Sequence, residues 1–300
     1  MNRRLIFYPI ICSLLLAATA LPQSRRSNRG GATTEGTILS VTATREDKKS
    51  EPIKIDDLFL YENGLEQRIK NFSFDPSPSK IVILVDNSQT LQTSVEAMKK
   101  AAMEFAFEIF EGDLLFTLAY DEKAEIIQEW TDDAKKMEAS FATFRKKGNP
   151  FLFDALDATM KEVLLPLMPG TRKTAVVIIG DGLDRGSKMS FDLILNELQT
   201  YNITVYGVQL PDRTGGAFRR DQPKAGAVMM RLAEETGGRV FPFDEAQTAA
   251  KTICDELRRN RYLLAYQPTN TSSYDARRIF LLGSEGITLR TKAAHPPNLK

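Results

Sequence analysis

A short apolar run in the first third of the chain ends in a cluster of oxygen-bearing side chains. Residues 81–85 read Ile-Val-Ile-Leu-Val, and Asp86, Ser88 and Thr90 follow at alternate positions. Five consecutive apolar residues are typical of a strand covered on both faces, as in a parallel sheet. Ligands of open α/β sheets bind beyond the carboxyl ends of the strands. Carboxylate and hydroxyl oxygens suit magnesium, manganese or calcium, so the residue types predict a site for a hard divalent cation.

A second apolar run, at residues 175–179, also ends in a carboxylate, that of Asp181. Two strand ends that each carry a carboxylate strengthen the prediction of a site. The same side chains also suit a structural role. In that role Asp86 and Asp181 accept hydrogen bonds from backbone amides in their own turns. Ser88 and Thr90 would then cap the helix that follows.

The middle of the chain alternates between apolar runs and segments whose apolar residues recur at helical spacing. Helices are predicted at about 95–110, 132–145, 152–165, 190–200, 225–235 and 246–260. Strands are predicted at 81–85, 114–120, 174–179, 203–209 and 239–243. This alternation predicts a parallel sheet with helices on both faces. A polar turn between 114–120 and 124–130 adds an antiparallel hairpin at one side of the sheet.

Short strands separated by turn residues occupy both ends of the chain. They are predicted at 38–43, 58–61, 67–72, 262–266, 277–282 and 287–290. Asn63 and Gly64 favour the positive φ angles of a tight hairpin between the second and third of these. We therefore predict an α/β fold in which a doubly wound, mostly parallel sheet is inserted in a small β module built from the N- and C-terminal strands.

The first residues have the pattern of an export signal. Arg3 and Arg4 precede an apolar stretch at 5–18, and small residues follow at 18–20. No later run is long and apolar enough to span a membrane, so we predict an exported chain, periplasmic or secreted. The predicted boundaries are a signal peptide at 1–20, a flexible lead-in at 21–36, an N-terminal β segment at 37–78, the α/β domain at 79–257, a C-terminal β segment at 258–293 and a tail at 294–300.

Charge and cysteine content exclude some functions. Without Arg3 and Arg4, 38 of the 40 basic residues remain against 39 acidic ones. That balance gives no basis for binding nucleic acid or anionic lipid. Cys12 leaves with the signal, so Cys254 is left without an internal disulfide partner.

Several short motifs follow one another in an order that resembles the von Willebrand factor type A domain, and most closely the VWFA-related family of exported bacterial proteins. They lie at residues 57–64 with Gln67 and Ile69, 86–90, 153–156, 181–184, 232–239 and 261–266. The resemblance implies a doubly wound fold of the Rossmann type and a protein ligand. It also implies a divalent cation, such as magnesium, at a metal-ion-dependent adhesion site.

The resemblance assigns the expected metal ligands to positions of this chain. Asp86 and Ser88 match the family pattern DxSxS, and Thr90 stands for its second serine. Asp181 matches the aspartate of the family's TDG, with Gly180 in place of the threonine.

One expected ligand is missing. Where the family has GGTALYDA, residues 148–155 read Gly-Asn-Pro-Phe-Leu-Phe-Asp-Ala, so Pro150 replaces the ligand threonine. Proline has no side-chain oxygen. The carbonyl oxygen of Asn149 or a water molecule would have to complete the shell, and we expect the cation to bind more weakly as a result.

Three functions follow as hypotheses. The first is a protein-binding or adhesion module that uses the carboxyl edge of the sheet, with the basic residues of loop 211–224 shaping the partner surface or simply solvated. These are Arg213, Arg219, Arg220 and Lys224. The second is a phosphohydrolase of the haloacid-dehalogenase type, and the third is a scaffold that has lost metal dependence.

Catalysis is the least supported of the three. Ser88 stands where the phosphohydrolases carry their acid/base aspartate, which removes the general acid. His295 is the chain's one histidine and falls in the predicted tail. Cys254 has no evident catalytic partner. We therefore predict that the protein is not an enzyme.

Overall fold

The computed structural model describes residues 36–46, 52–171, 173–212, 220, 222–270 and 274–297. The predicted signal peptide and nearly all of the lead-in lie outside these residues, and so do Arg213 and Arg219 of the basic loop. The described residues belong to one compact unit, Thr34–Lys300.

The centre of the molecule is a six-stranded sheet in the order β10-β9-β8-β5-β6-β7. Its strands are β5 (Lys80–Asp86), β6 (Leu114–Tyr120), β7 (Ala124–Thr131), β8 (Thr174–Gly180), β9 (Thr204–Gln209) and β10 (Val240–Pro242). All neighbours are parallel except β6 and β7, which form the predicted antiparallel hairpin at the edge. Numbered within the sheet, the order is 6-5-4-1-2-3, which is that of a doubly wound fold. The predicted fold class is confirmed.

Helices cover both faces of this sheet. They are α1 (Val95–Glu108), α2 (Ala134–Ser140), α3 (Leu152–Ala158), α4 (Phe191–Thr200), α5 (Ala225–Thr236) and α6 (Ala246–Arg259). Along β5, Ile81, Ile83 and Val85 pack into the core shared with α1, α2 and α6. The alternate residues Val82 and Leu84 pack into the core shared with α3, α4 and α5. Both faces are buried, which explains why the strand reads as an unbroken apolar run.

The terminal strands build two four-stranded sheets, β13-β1-β11-β4 and β14-β12-β2-β3. Their strands are β1 (Thr37–Arg45), β2 (Leu58–Glu62), β3 (Leu65–Gln67), β4 (Ile69–Phe74), β11 (Arg261–Tyr266), β12 (Arg277–Gly283), β13 (Ile287–Arg290) and β14 (Ala294–His295). A third core lies among them, with Leu39, Leu60 and Leu264 fully buried or nearly so. N- and C-terminal strands therefore build a β module together, as predicted.

Two details of this module differ from the prediction. Asn63 and Gly64 have the positive φ angles of the predicted hairpin, 50° and 80°. However, the predicted strand 67–72 is two strands, because β3 pairs with β2 while β4 pairs with β11 in the other sheet. The predicted tail also begins too early, since Ala294–His295 forms β14 and pairs with β12.

The helix predicted at 132–145 is shorter than expected. It begins after Asp133, whose carboxylate accepts hydrogen bonds from the backbone amides of Lys135 and Lys136 at 2.9 and 3.3 Å, and α2 ends at Ser140. Across the part of the chain that is described, no helix is long and apolar enough to cross a membrane.

Candidate functional site

The candidate site lies where the order of the central sheet reverses. The strand β5 stands between β6, the next strand in the chain, and β8. Its last residue is Asp86, and Asp181 directly follows β8. Ligands of doubly wound sheets bind at such a switch point, outside the carboxyl ends of the strands.

Gly180 makes room for Asp86. Val85 pairs with Ile179, which brings Asp86 beside Gly180. A Cβ added to Gly180 would lie 3.0 Å from the Cβ of Asp86 and 3.2 Å from the Tyr120 hydroxyl. A threonine, which the family resemblance implies at this position, would therefore crowd the carboxylate.

Asp86 is buried, with 1% of its surface exposed. Its Oδ1 accepts a hydrogen bond from the Ser88 amide at 2.8 Å, and its Oδ2 accepts a long one from the Tyr120 hydroxyl at 3.4 Å. Burial raises the pKa of Asp86 to about 7; hydrogen bonds from Ser88 lower it, and the charge of Asp181 raises it further. Among the described residues, no positive charge contributes to the pKa of this carboxyl group.

The hydroxyls of Ser88 and Thr90 are neighbours, with 3.1 Å between their oxygens. The predicted capping role does not apply to them, because the N-cap of α1 is Ser94, whose Oγ accepts from the Ala97 amide at 3.1 Å. Neither hydroxyl caps the helix, so both oxygens remain available as ligand atoms for a cation near Asp86.

Asp181 lies across from this group. Its Oδ1 accepts a hydrogen bond from the Leu183 amide at 2.9 Å, and burial raises its pKa. Burial raises the pKa of the Tyr120 phenol, and the negative charges of Asp86, Asp181 and Asp184 raise it further. A cavity of about 160 Å³ is lined by Thr90 and Asp181, among others.

The loop that carries Pro150 supports the site through its backbone. The carbonyl oxygen of Pro150 accepts from the Arg185 amide at 2.8 Å, and that of Gly148 accepts from the Gln89 amide at 3.2 Å. Asn149 is exposed, and its Nδ2 donates to Glu122 at 3.2 Å. The amide expected to replace the missing threonine is thus engaged at the β6–β7 turn.

Two further aspartates hold the loop after β8 in place. Asp184 is 1% exposed, and its Oδ1 accepts hydrogen bonds from the Phe153 amide at 3.2 Å and from the Ser187 hydroxyl. Asp154 accepts from the amides of Lys188 and Met189 at 3.0 and 2.9 Å. Sequence reasoning gave these residues no role, although Asp154 lies in the first turn of a predicted helix, where an aspartate commonly makes such contacts.

The donor set can be compared with the needs of different metals. Within the described ranges, no group of three or more His, Cys, Asp or Glu side chains is placed to hold a metal ion. Magnesium needs only one or two carboxylates and keeps several waters. Asp86, Ser88, Thr90 and Asp181 are oxygen ligands of the types that magnesium takes, and water would have to fill the place of the missing threonine.

The strand order and the polar end of the Asp86 strand are those of a doubly wound, Rossmann-like sheet, which is the architecture that the von Willebrand factor type A resemblance implies. No protein-family model matches the chain, and no curated protein matches it either.

Several solved structures are similar to this chain. A von Willebrand factor type A protein from Catenulispora acidiphila has 10% identity and a TM-score of 0.49, over 89% of this chain and 75% of that one. An aerotolerance-related membrane protein from Bacteroides fragilis NCTC 9343 has 19% identity and a TM-score of 0.46, over 60% and 98%. Proximal thread matrix protein 1 from the mussel byssus, with a zinc-occupied MIDAS motif, has 13% identity and a TM-score of 0.45, over 64% and 48%. None of these TM-scores reaches 0.5.

Proposed function

We propose that this chain is a protein-binding module that recognises a carboxylate of its partner at the carboxyl edge of the central sheet, through a divalent cation. The observation that supports this function is the gathering of two buried carboxylates and two hydroxyls at the switch point of the sheet. Asp86, Ser88, Thr90 and Asp181 would hold the cation, and magnesium fits them best.

The cation, Asp86 and Arg185 each have a defined part in the proposed recognition. A bound cation supplies positive charge and a coordination position open to the partner. Asp86, held by the Ser88 amide and the Tyr120 hydroxyl, would bind as the carboxylate, so it must lose its proton first. Arg185 is exposed and lines the cavity beside Asp181, where its guanidinium can attract an incoming carboxylate.

Calorimetric titration with magnesium, manganese and calcium tests the metal. We expect one cation per chain, no binding in Asp86→Ala or Asp181→Ala, and weaker binding in Thr90→Val. Asp192→Ala, which removes an exposed carboxylate from α4, should bind like the wild type. If no cation gives more heat with the wild type than with Asp86→Ala, the metal has no part in the function and the chain is a metal-independent scaffold.

A second measurement tests the open coordination position. With manganese bound, solvent protons relax faster because coordinated water exchanges with bulk water. An aspartyl peptide that coordinates the metal would displace this water and lower the relaxation rate, and Arg185→Gln should weaken the effect. A rate that does not change at saturating peptide would contradict the proposed recognition.

We also infer that the protein is not a phosphohydrolase. Asp86 has no carboxylate two residues on, since Ser88 stands there and donates its amide to Asp86. An assay with an aryl phosphate and magnesium should give no turnover. Turnover that Asp86→Asn abolishes would replace the binding function with catalysis.

Export is part of the proposal. Residues 1–20 would be removed as the signal, and the chain would then act in the periplasm or outside the cell. N-terminal sequencing of the protein from periplasmic and medium fractions should start just after Ala20. A chain that keeps Arg3 and Arg4 in the cytoplasmic fraction would exclude this location.

A further inference from the structure

A second cavity, of about 730 Å³, lies at the opposite edge of the central sheet. Two of its walls come from residues 165–171, just before β8, and residues 200–202, just before β9, and both strands begin at that edge. The terminal β module closes the rest, with contributions from β1, β11 and β14. Pockets for small molecules are often found between such units and have volumes of roughly 300–1,000 Å³.

The wall of this cavity is largely apolar. Its aliphatic and proline side chains are Ile38, Leu165, Met168, Pro169 and Leu263. None of the lining residues is acidic. A ligand with an apolar body would therefore bury its surface here without meeting negative charge.

Lys292 supplies the one ammonium group among the lining residues. It is 4% exposed, and its Nζ donates to the Gln199 carbonyl oxygen at 2.6 Å. No ion pair joins it to an acidic residue in the described part of the chain. Burial, with the nearby charge of Arg277, lowers the pKa of Lys292 to about 7. An ammonium has three donors, so this group retains hydrogen-bonding capacity for an anion.

Two more polar groups of the lining lack partners. The Nε2 atom of His295 and the Oδ1 atom of Asn202 are buried and make no hydrogen bond within the described residues. Burial, with the charges of Lys292 and Arg277, lowers the pKa of His295 to about 3, so the imidazole is neutral at pH 7. Buried polar atoms without partners are uncommon and often mark a place that a ligand or ordered water completes.

We propose that this cavity binds a small organic carboxylate with an apolar body, whose carboxylate pairs with Lys292. The apolar wall takes the body of the ligand. One ammonium matches one negative charge, which favours a monocarboxylate over a doubly charged phosphate. The neutral imidazole of His295 can donate from Nε2 to the head group in one of its tautomers, whereas Asn202 Oδ1 only accepts and would pair with water. This site is separate from the carboxyl edge and does not depend on a cation there.

Calorimetry with octanoate and 1-octanol tests this site, because the two probes share a chain length and differ in charge. We expect octanoate to bind once per chain and 1-octanol at least about tenfold more weakly. Lys292→Met should reduce the affinity for octanoate by about tenfold or more and leave that for 1-octanol unchanged. Lys251→Met, in which an exposed lysine of α6 is replaced, should bind octanoate like the wild type.

A second variant keeps the test independent of Lys292. Ile38 is 36% exposed, so Ile38→Trp adds bulk to the cavity without entering a core and should weaken both probes. Asp86→Ala should leave octanoate binding unchanged, which separates this site from the proposed cation site. The proposal is overturned if octanoate fails to bind the wild type, binds no better than 1-octanol, or keeps its affinity in Lys292→Met or in Ile38→Trp.

Discussion

The carboxyl edge of the central sheet and the cavity at its amino edge each bury one ionisable group whose pKa lies near neutrality. Asp86 is 1% exposed and burial raises its pKa to about 7, whereas Lys292 is 4% exposed and burial lowers its pKa to about 7. In each case a like charge adds to burial: Asp181 acts on Asp86, and Arg277 acts on Lys292. The carboxyl edge thus favours a bound cation, and the cavity favours a bound anion.

The two regions are held together differently. At the carboxyl edge, the carbonyl oxygens of Gly148 and Pro150 accept backbone hydrogen bonds from Gln89 and Arg185, and these bonds tie neighbouring loops to each other. The cavity instead combines segments from both ends and the middle of the chain. Damage to one loop should therefore disturb the first region more than the second.

The largest effect is expected from Gly182→Ala, in the loop after β8. Gly182 has φ 81°, and an added Cβ would overlap the Ala225 carbonyl oxygen and lie 2.7 Å from Met229 Cγ. Left-handed strain and overpacking together should lower the free energy of unfolding by about 3 kcal/mol.

Gly64→Ala is the matched control for that change. Gly64 has φ 80°, but no atom lies within 4 Å of its added Cβ, so only the backbone term of about 1 kcal/mol applies. Urea denaturation of both variants measures the difference. Equal losses would show that the close approach to α5 does not restrain the loop.

Much of the fold and part of the carboxyl edge were predictable, because their signals are local. The apolar runs at 81–85 and 175–179, each ending in an aspartate, predict buried parallel strands and a polar edge. The contact between Tyr120 and Asp86 was not predictable, because it depends on the register of β5 with β6, in which these residues pair. Likewise, only the fold shows that Asn149 points its amide at Glu122.

The cavity could not be predicted for a related reason. Lys292 lies at the end of the predicted C-terminal β segment and His295 lies in the predicted tail, and neither has a motif around it. They face residues near 38, 168 and 201 only after the two ends of the chain pair into sheets. The prediction of one strand at 67–72 was wrong for the same reason. This segment contributes to two different sheets, because β3 pairs with β2 and β4 pairs with β11.

Lys292 should also make stability depend on pH. Its pKa in the folded chain, about 7, lies below the ordinary lysine value of 10.5, so between pH 7 and pH 10.5 the unfolded chain binds one proton more than the folded chain. The free energy of unfolding should therefore rise with pH in this window, by up to about 1.4 kcal/mol per pH unit from this group. Below pH 7 both states carry the proton, and the cost of burying the charge is fully present.

Urea denaturation between pH 7 and 9 measures this slope, at pH values where tyrosines do not yet ionise. The difference between the wild type and Lys292→Met should grow with pH, whereas the difference between the wild type and Lys251→Met should not. Parallel curves for the wild type and Lys292→Met would mean that Lys292 is charged in the folded protein throughout this range, contrary to the buried environment of the cavity.

Pro150→Thr should give a smaller gain at the carboxyl edge. It restores a hydroxyl at the position of the missing ligand, and we expect magnesium to bind up to about tenfold more tightly. Pro150→Val is the control, because valine has the shape of threonine without the hydroxyl. Titration calorimetry compares the two, and equal affinities would show that position 150 does not reach the cation.

The smallest effect is expected from Asn149→Ala, which tests the remaining candidate for the missing ligand. Asn149 is exposed and its amide donates to Glu122, so its removal should cost less than about 0.5 kcal/mol of stability, as for most surface changes. If water completes the cation shell, magnesium affinity should stay within the error of the wild-type value. A clear loss of affinity would mean that Asn149 leaves Glu122 and turns inward when the cation binds. That result would mean that the loop of Pro150 changes conformation on binding. Its backbone hydrogen bonds to Arg185 and Gln89 instead indicate that the loop is fixed.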